Sequence, residues 1–145
     1  MLRCLRILLM PFQAMTSIHI IKGKATMGAH LMAAQIKGSG KYDYRVMELT
    51  NDSCSILFKQ RDQYAEHGWS DLGRTTFTIE DAKRAELVKP DSGWVKYPQA
   101  MLFARAISAG CRTYTPDVFQ GNLVYVPEEM GAQVNEDGEP VGKAS

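Results

Sequence analysis

The segment YPQAMLFARAISAGCR, residues 97–112, carries two arginines inside an apolar run. A guanidinium is permanently charged, and its planar fork of donors fits the oxygens of a phosphate or a carboxylate. On a helix at about 100° per residue, with Met101 at zero, Arg105 falls at about 40°, Ser108 at about 340° and Arg112 at about 20°. The three share one stripe. Phe103, Ala106, Ile107 and Gly110 gather at about 140° to 240°, which is the face expected to bury. The arginines are therefore expected on the solvent side, roughly 10 Å apart along an axis that rises about 1.5 Å per residue. That is about three phosphate steps of one strand at about 3.4 Å each. Two chemistries fit the spacing: both guanidiniums follow one nucleic-acid backbone, or both solvate an outer face and pair with nearby Asp and Glu.

Other cations lie near turns and aromatic rings. Lys22 and Lys24 flank Gly23, and Lys96 sits beside Tyr97 and two residues from Trp94. Basic groups neutralise phosphates and aromatic faces stack bases, so these five residues are second-rank candidates for a single strand. The alternatives are a solubilised turn for the lysines and a local hydrophobic plug for Trp94 and Tyr97.

Catalytic patterns fail. KGKAT lacks the earlier glycine and the Ser/Thr of a phosphate loop. Neither Pro90-Asp91 nor Pro116-Asp117 is followed by the ExK or DxK that a metal nuclease needs. Asp81 and Lys83 suit helix capping and a solvated face, while Glu128 and Glu129 follow Pro127 in a first turn, where negative charge suits the helix dipole. His19, His30 and His67 are scattered, with no third group for a zinc site or a triad. No active site, metal or cofactor is expected. The enzyme alternative, a metal-dependent phosphodiesterase, would have to use Asp91, Asp117 and Glu128, and a weaker alternative is an accessory protein with protein partners only.

The elements that must hold these residues are legible in outline. ILLMPFQAM reads as a helical end, SIHIIKGKAT as a strand closing on the Lys22-Gly23-Lys24 turn, and ATMGAHLMAAQIKGSG as a helix stopped by Gly38 and Gly40. YDYRVMELT and CSILFKQ alternate at period two around Asn51-Asp52-Ser53, which predicts a hairpin. RDQYAEHGWSDLGR reads as a loop and TTFT as a third strand. In TIEDAKRAEL, Thr78 is the N-cap and Asp81 stands at N3 in a variant capping box. KPDSGW is a loop, Pro98 opens the arginine helix, and TPDVFQGNLVYVPEEMG is turn-rich with a helical turn at Pro127. The sum is an α+β fold, a small, mainly antiparallel sheet with helices packed on it. Residues 1–131 are expected to form one domain and 132–145 an acidic, disordered tail.

The chain has 145 residues, enough for one domain with a real core. Its net charge of +1 hides an asymmetry: residues 126–145 hold five acids and one lysine, so the rest carries +5. A mildly basic body permits a polyanionic partner. Cys4, Cys54 and Cys111 have no CxxC spacing and read as free thiols of a reducing cytoplasm. The basic start MLRCLRILLM is broken by Pro11 and Gln13 before it forms a signal peptide, and no run approaches the roughly 20 apolar residues of a membrane span.

Several blocks in order resemble the RecT family of phage single-strand annealing recombinases: PFQAMTSIHIIKGKATMGAHLMAA, YDYRV, FTIEDAKRAEL, WVKYPQAMLFARAIS and PDVFQGNLVYVPEEMG. The resemblance covers roughly residues 9–131. At the front, where family members carry a longer segment before the IHIIKGK block, MLRCLRILL stands instead, as in an N-terminally short member. What the resemblance implies is a protein of the bacterial host cytoplasm that oligomerises on single-stranded DNA and anneals a complementary strand, using neither ATP nor metal. A phage exonuclease and the host single-strand binding protein are its candidate partners. Arg105 and Arg112, then Lys22, Lys24, Lys96, Trp94 and Tyr97, are the residues expected at the DNA.

Overall fold

The computed structural model describes residues 18–21, 24–120 and 124–130, with side chains from Thr26 onward apart from Glu128 and Met130. Lys22, the N-terminal helical end and the tail after residue 131 lie outside the described residues. The chain opens with an antiparallel hairpin of β1 (Ile18–Ile21) and β2 (Lys24–Met27), in register from Ile18 opposite Met27 to Ile21 opposite Lys24. Helix α1 (Ala29–Gly38) follows and buries Ala29, Met32, Ala33 and Ile36. These positions recur at three- and four-residue spacing, so one face goes to the core.

The central sheet is a meander of β3 (Tyr42–Leu49), β4 (Ser53–Arg61) and β5 (Trp69–Thr78), all antiparallel. The hairpin around Asn51-Asp52-Ser53 is present. The fold is thus α+β, as the alternation and the capping signals imply. β5 is longer than TTFT: it begins at Trp69 and takes in Ser70 to Arg74, which read as loop because Gly68, Asp71 and Gly73 are turn-formers. The pairing shifts register at Phe58/Lys59, so the strand absorbs these residues by bulging rather than ending. A second shift at Val46/Glu48 lies on the edge strand β3, where an irregular edge discourages further pairing.

Three helical pieces follow. In α2 (Ile79–Arg84) the Thr78 hydroxyl accepts from the Asp81 amide and the Asp81 carboxylate accepts from the Thr78 amide, a reciprocal cap. Those hydrogen bonds, above all from the Thr78 backbone, hold the Asp81 carboxyl below its usual range. The helix stops at Arg84, and Glu86 turns the chain at a φ of 60°, earlier than the TIEDAKRAEL pattern suggests. A short turn α3 (Gly93–Lys96) stands where a loop was expected. The arginine helix is α4 (Pro98–Tyr114), with Pro98 in its first turn, where the missing amide costs nothing. Two single 3-10 turns, Pro116–Phe119 and Pro127–Met130, complete the described chain.

α4 lies on one face of the sheet, and its contact there is closer than side chains alone allow. A Cβ at Gly110 would collide with the ring of Phe58, and one at Gly73 with the ring of Tyr114. Each glycine thus admits an aromatic ring from the opposing element, and the two rings stack at 5.7 Å between centroids. Cys54, Ile56, Phe58, Leu102 and Ile107 are fully buried between the layers. Among the described residues no helix is long and apolar enough to cross a membrane.

Gly110→Ala is expected to lower stability by roughly 1–3 kcal/mol, because the added methyl has to displace a packed ring; the midpoint of urea unfolding measures it. Cys54 and Cys111 are both buried free thiols, and burial pushes the Cys54 thiol up to about 11. A water-soluble alkylating reagent at neutral pH should leave both unmodified until the chain unfolds, as peptide masses will show.

Candidate functional site

The stripe of α4 that carries the arginines is covered, which corrects the expectation that it faces solvent. Met101 and Ser108, on the same stripe, are 4% and 0% exposed. Two elements lie over it. At the N-terminal end, Met101 packs against Gly93 of α3. At the other end the strap Val124–Met130 crosses the helix, tied to β2 by the Met27 amide donating to the Tyr125 carbonyl at 2.8 Å.

The strap brings in a carboxylate. Glu129, whose side chain is only 7% exposed, takes the fork of Arg112 at 2.6 and 3.1 Å, with Arg105 at 3.9 Å. The Ser108 hydroxyl donates to it at 2.7 Å and the Val126 amide at 2.9 Å, both on the oxygen that also accepts from Arg112 Nη1. Arg112 also donates to Ser108 at 2.6 Å. Its plane lies 4.7 Å from the Tyr125 ring, and Arg105 lies 5.1 Å from the Phe77 ring. Proline 127 and the turn it opens are the local cause: Glu129 sits three residues after Val126, where its side chain caps that amide while reaching α4. Of the two chemistries that fit the arginine spacing, pairing with a nearby acid is the one seen.

The other DNA candidates scatter. Trp94 is 4% exposed and packs on Phe77 at 5.9 Å, so it is a plug in the core and not a stacking platform. Lys96 and Tyr97 have exposed side chains on the surface beside it. Lys24 opens β2, its side chain outside the description, as is all of Lys22. The structure therefore joins Arg105 and Arg112 through Glu129, while Lys96 and Tyr97 are exposed beside Trp94.

The acids invoked for metal chemistry are likewise committed or dispersed. Asp117 accepts from Lys41 Nζ and Tyr42 Oη, each at 2.7 Å, and the Lys41 bond foremost holds its carboxyl below the usual range. That pair ties the start of β3 to the turn after α4. Asp91 is exposed at a φ of 61°, and the Glu128 side chain lies outside the description. Among the described residues no three His, Cys, Asp or Glu side chains are grouped to hold a metal ion.

A surface missed in the sequence is the sheet face opposite α4. Cross-strand contacts define it row by row: Ser55 with Thr76 at 3.0 Å, Lys59 with Asp71 at 4.0 Å, and Arg61 over the Trp69 ring at 4.9 Å. Between the first two rows, register sets Arg45, Leu57 and Arg74 side by side. The period-two alternation of β3 and β4 is visible in the sequence. Which residues of β5 stand beside them was not, because the bulge and the turn-formers hid the first half of that strand.

Searched against protein families, curated proteins and solved structures, the chain matches none. The likeness of its blocks to RecT proteins therefore rests on the sequence.

Glu129→Gln removes the one negative charge shared by two part-buried guanidiniums. It should cost roughly 2–4 kcal/mol in urea unfolding, and Arg105→Gln with Arg112→Gln should also destabilise. Arg84→Gln, on an exposed ion pair with Asp81, should change stability by no more than about 0.5 kcal/mol.

Proposed function

We propose that the chain binds single-stranded DNA and anneals complementary strands without ATP or a metal ion, as a homo-oligomer in the bacterial cytoplasm during phage recombination. The observation that carries this reading is the ordered series of RecT-like blocks over roughly residues 9–131. Charge supports it, since a body of +5 before residue 126 attracts a polyanion and gains from counterion release. A phage exonuclease that generates single strands and a host single-strand binding protein are its candidate partners. Lys96, Tyr97, Lys22 and Lys24 stay candidate contacts. Arg112 reaches a phosphate only by giving up its fork on Glu129, and Arg105 lies part-buried beside the same carboxylate, so they are poor first contacts.

Binding should show little sequence preference, since no base-reading motif is present, and should weaken steeply as salt rises. Labelled single-stranded oligonucleotides titrated at several salt concentrations test this, and annealing of complementary oligonucleotides should proceed in EDTA without nucleotide. A flat salt response, or strict need for magnesium or ATP, contradicts the reading. Cleavage of the labelled strand in magnesium instead identifies a phosphodiesterase.

A further inference from the structure

We propose that the DNA strand lies on the face of the sheet opposite α4, with Arg45 and Arg74 as its phosphate contacts. The inference rests on the reading that the chain binds single-stranded DNA, and it moves the site away from α4.

The first reason is availability. The guanidiniums of Arg45 and Arg74 have no hydrogen-bond or ion-pair partner among the described residues, and both residues are exposed. Arg112 on α4 is instead held by a bidentate bond to Glu129, and Arg105 lies 3.9 Å from the same carboxylate. An unpaired cation binds phosphate without first losing a partner, whereas Arg112 must break a bidentate pair.

The second reason is placement. Arg45 pairs with Leu57 and Leu57 with Arg74 across β3, β4 and β5. Adjacent strands stand about 4.8 Å apart, so the two arginine backbones are roughly 10 Å apart across the sheet. The half-buried Leu57 between them is an apolar floor with no described helix on it. At one end of this face the exposed Arg61 guanidinium lies over the half-buried Trp69 ring, and its outer plane is a flat surface on which a base can stack.

The third reason is the charge left over. Asp71 on this face is near Lys59, and Asp43 is neutralised by Lys37 at 2.7 Å. Among the described residues of this face, the acid left beside Arg45, Arg61 and Arg74 is Glu48, one row beyond Arg45. The excess is positive, and it is mounted on paired strands whose register fixes the spacing. A phosphodiester chain with unstacked bases matches cations flanking an apolar, partly aromatic floor.

The test uses the full chain, a fluorescent oligo-dT strand and binding at several salt concentrations. Arg45→Gln with Arg74→Gln should lower affinity by roughly tenfold and flatten the salt slope by roughly 1.4, at about 0.7 per lost contact on a single strand. Arg45→Lys with Arg74→Lys should recover most of the binding, because phosphate neutralisation needs charge more than geometry. Lys83→Gln with Arg84→Gln, which removes two exposed cations of α2, should leave binding near wild type. A glutamine pair that binds as well as this control overturns the sheet-face site and leaves the DNA reading standing. A wild-type chain that binds no single strand at low salt removes both. Loss of binding in the lysine pair as well as the glutamine pair, with an unfolding midpoint lowered in both, marks the arginines as structural and also overturns the site.

Discussion

Helix α4 is apolar or small around most of its circumference, so it must be covered on nearly every side, and its two arginines can be covered only if a carboxylate goes in with them. Glu129 is that carboxylate. It meets two guanidiniums, a hydroxyl and a backbone amide within one cluster, which satisfies the oxygens that burial would otherwise strip of water. The strap that delivers it also buries Val126 and Pro127. Hydrophobic burial draws the strap down, and the ion cluster decides where along the helix it lands.

On its other side α4 meets the sheet through two glycines. Gly110 lets Phe58 approach the helix, and Gly73 lets Tyr114 approach the sheet. The absence of a side chain at one point is thus used by a large ring from the opposite layer, and dispersion across the stacked pair holds the layers close. The bulge at Leu72/Gly73 serves the same contact, since it brings a glycine opposite Phe58.

This arrangement sorts the cations into two groups. Those on α4 are part-buried and share one carboxylate, and Arg45 and Arg74 on the opposite sheet face are exposed. A helix wheel cannot make that distinction, because it shows which residues share a stripe and not what lies over the stripe. Arg45 and Arg74 stand on paired strands, whose register holds them at a fixed spacing.

Local signals sufficed where the physics is local. The Thr78 and Asp81 cap, the first turn at Pro98, the hairpin around Asn51-Asp52-Ser53 and the turn at Pro127 each depend on neighbours a few residues apart, and the sequence by itself determined them together with the α+β class. The full length of β5 escaped because a bulge has no fixed residue pattern and Gly73 looks like a turn when its packing partner Tyr114 is 41 residues away. The fate of Arg105 and Arg112 was decided by tertiary structure alone. Spacing allowed a phosphate or an acid, and the choice fell to Glu129, 17 residues beyond Arg112, once burial of Val126 and Pro127 had brought the strap across the helix.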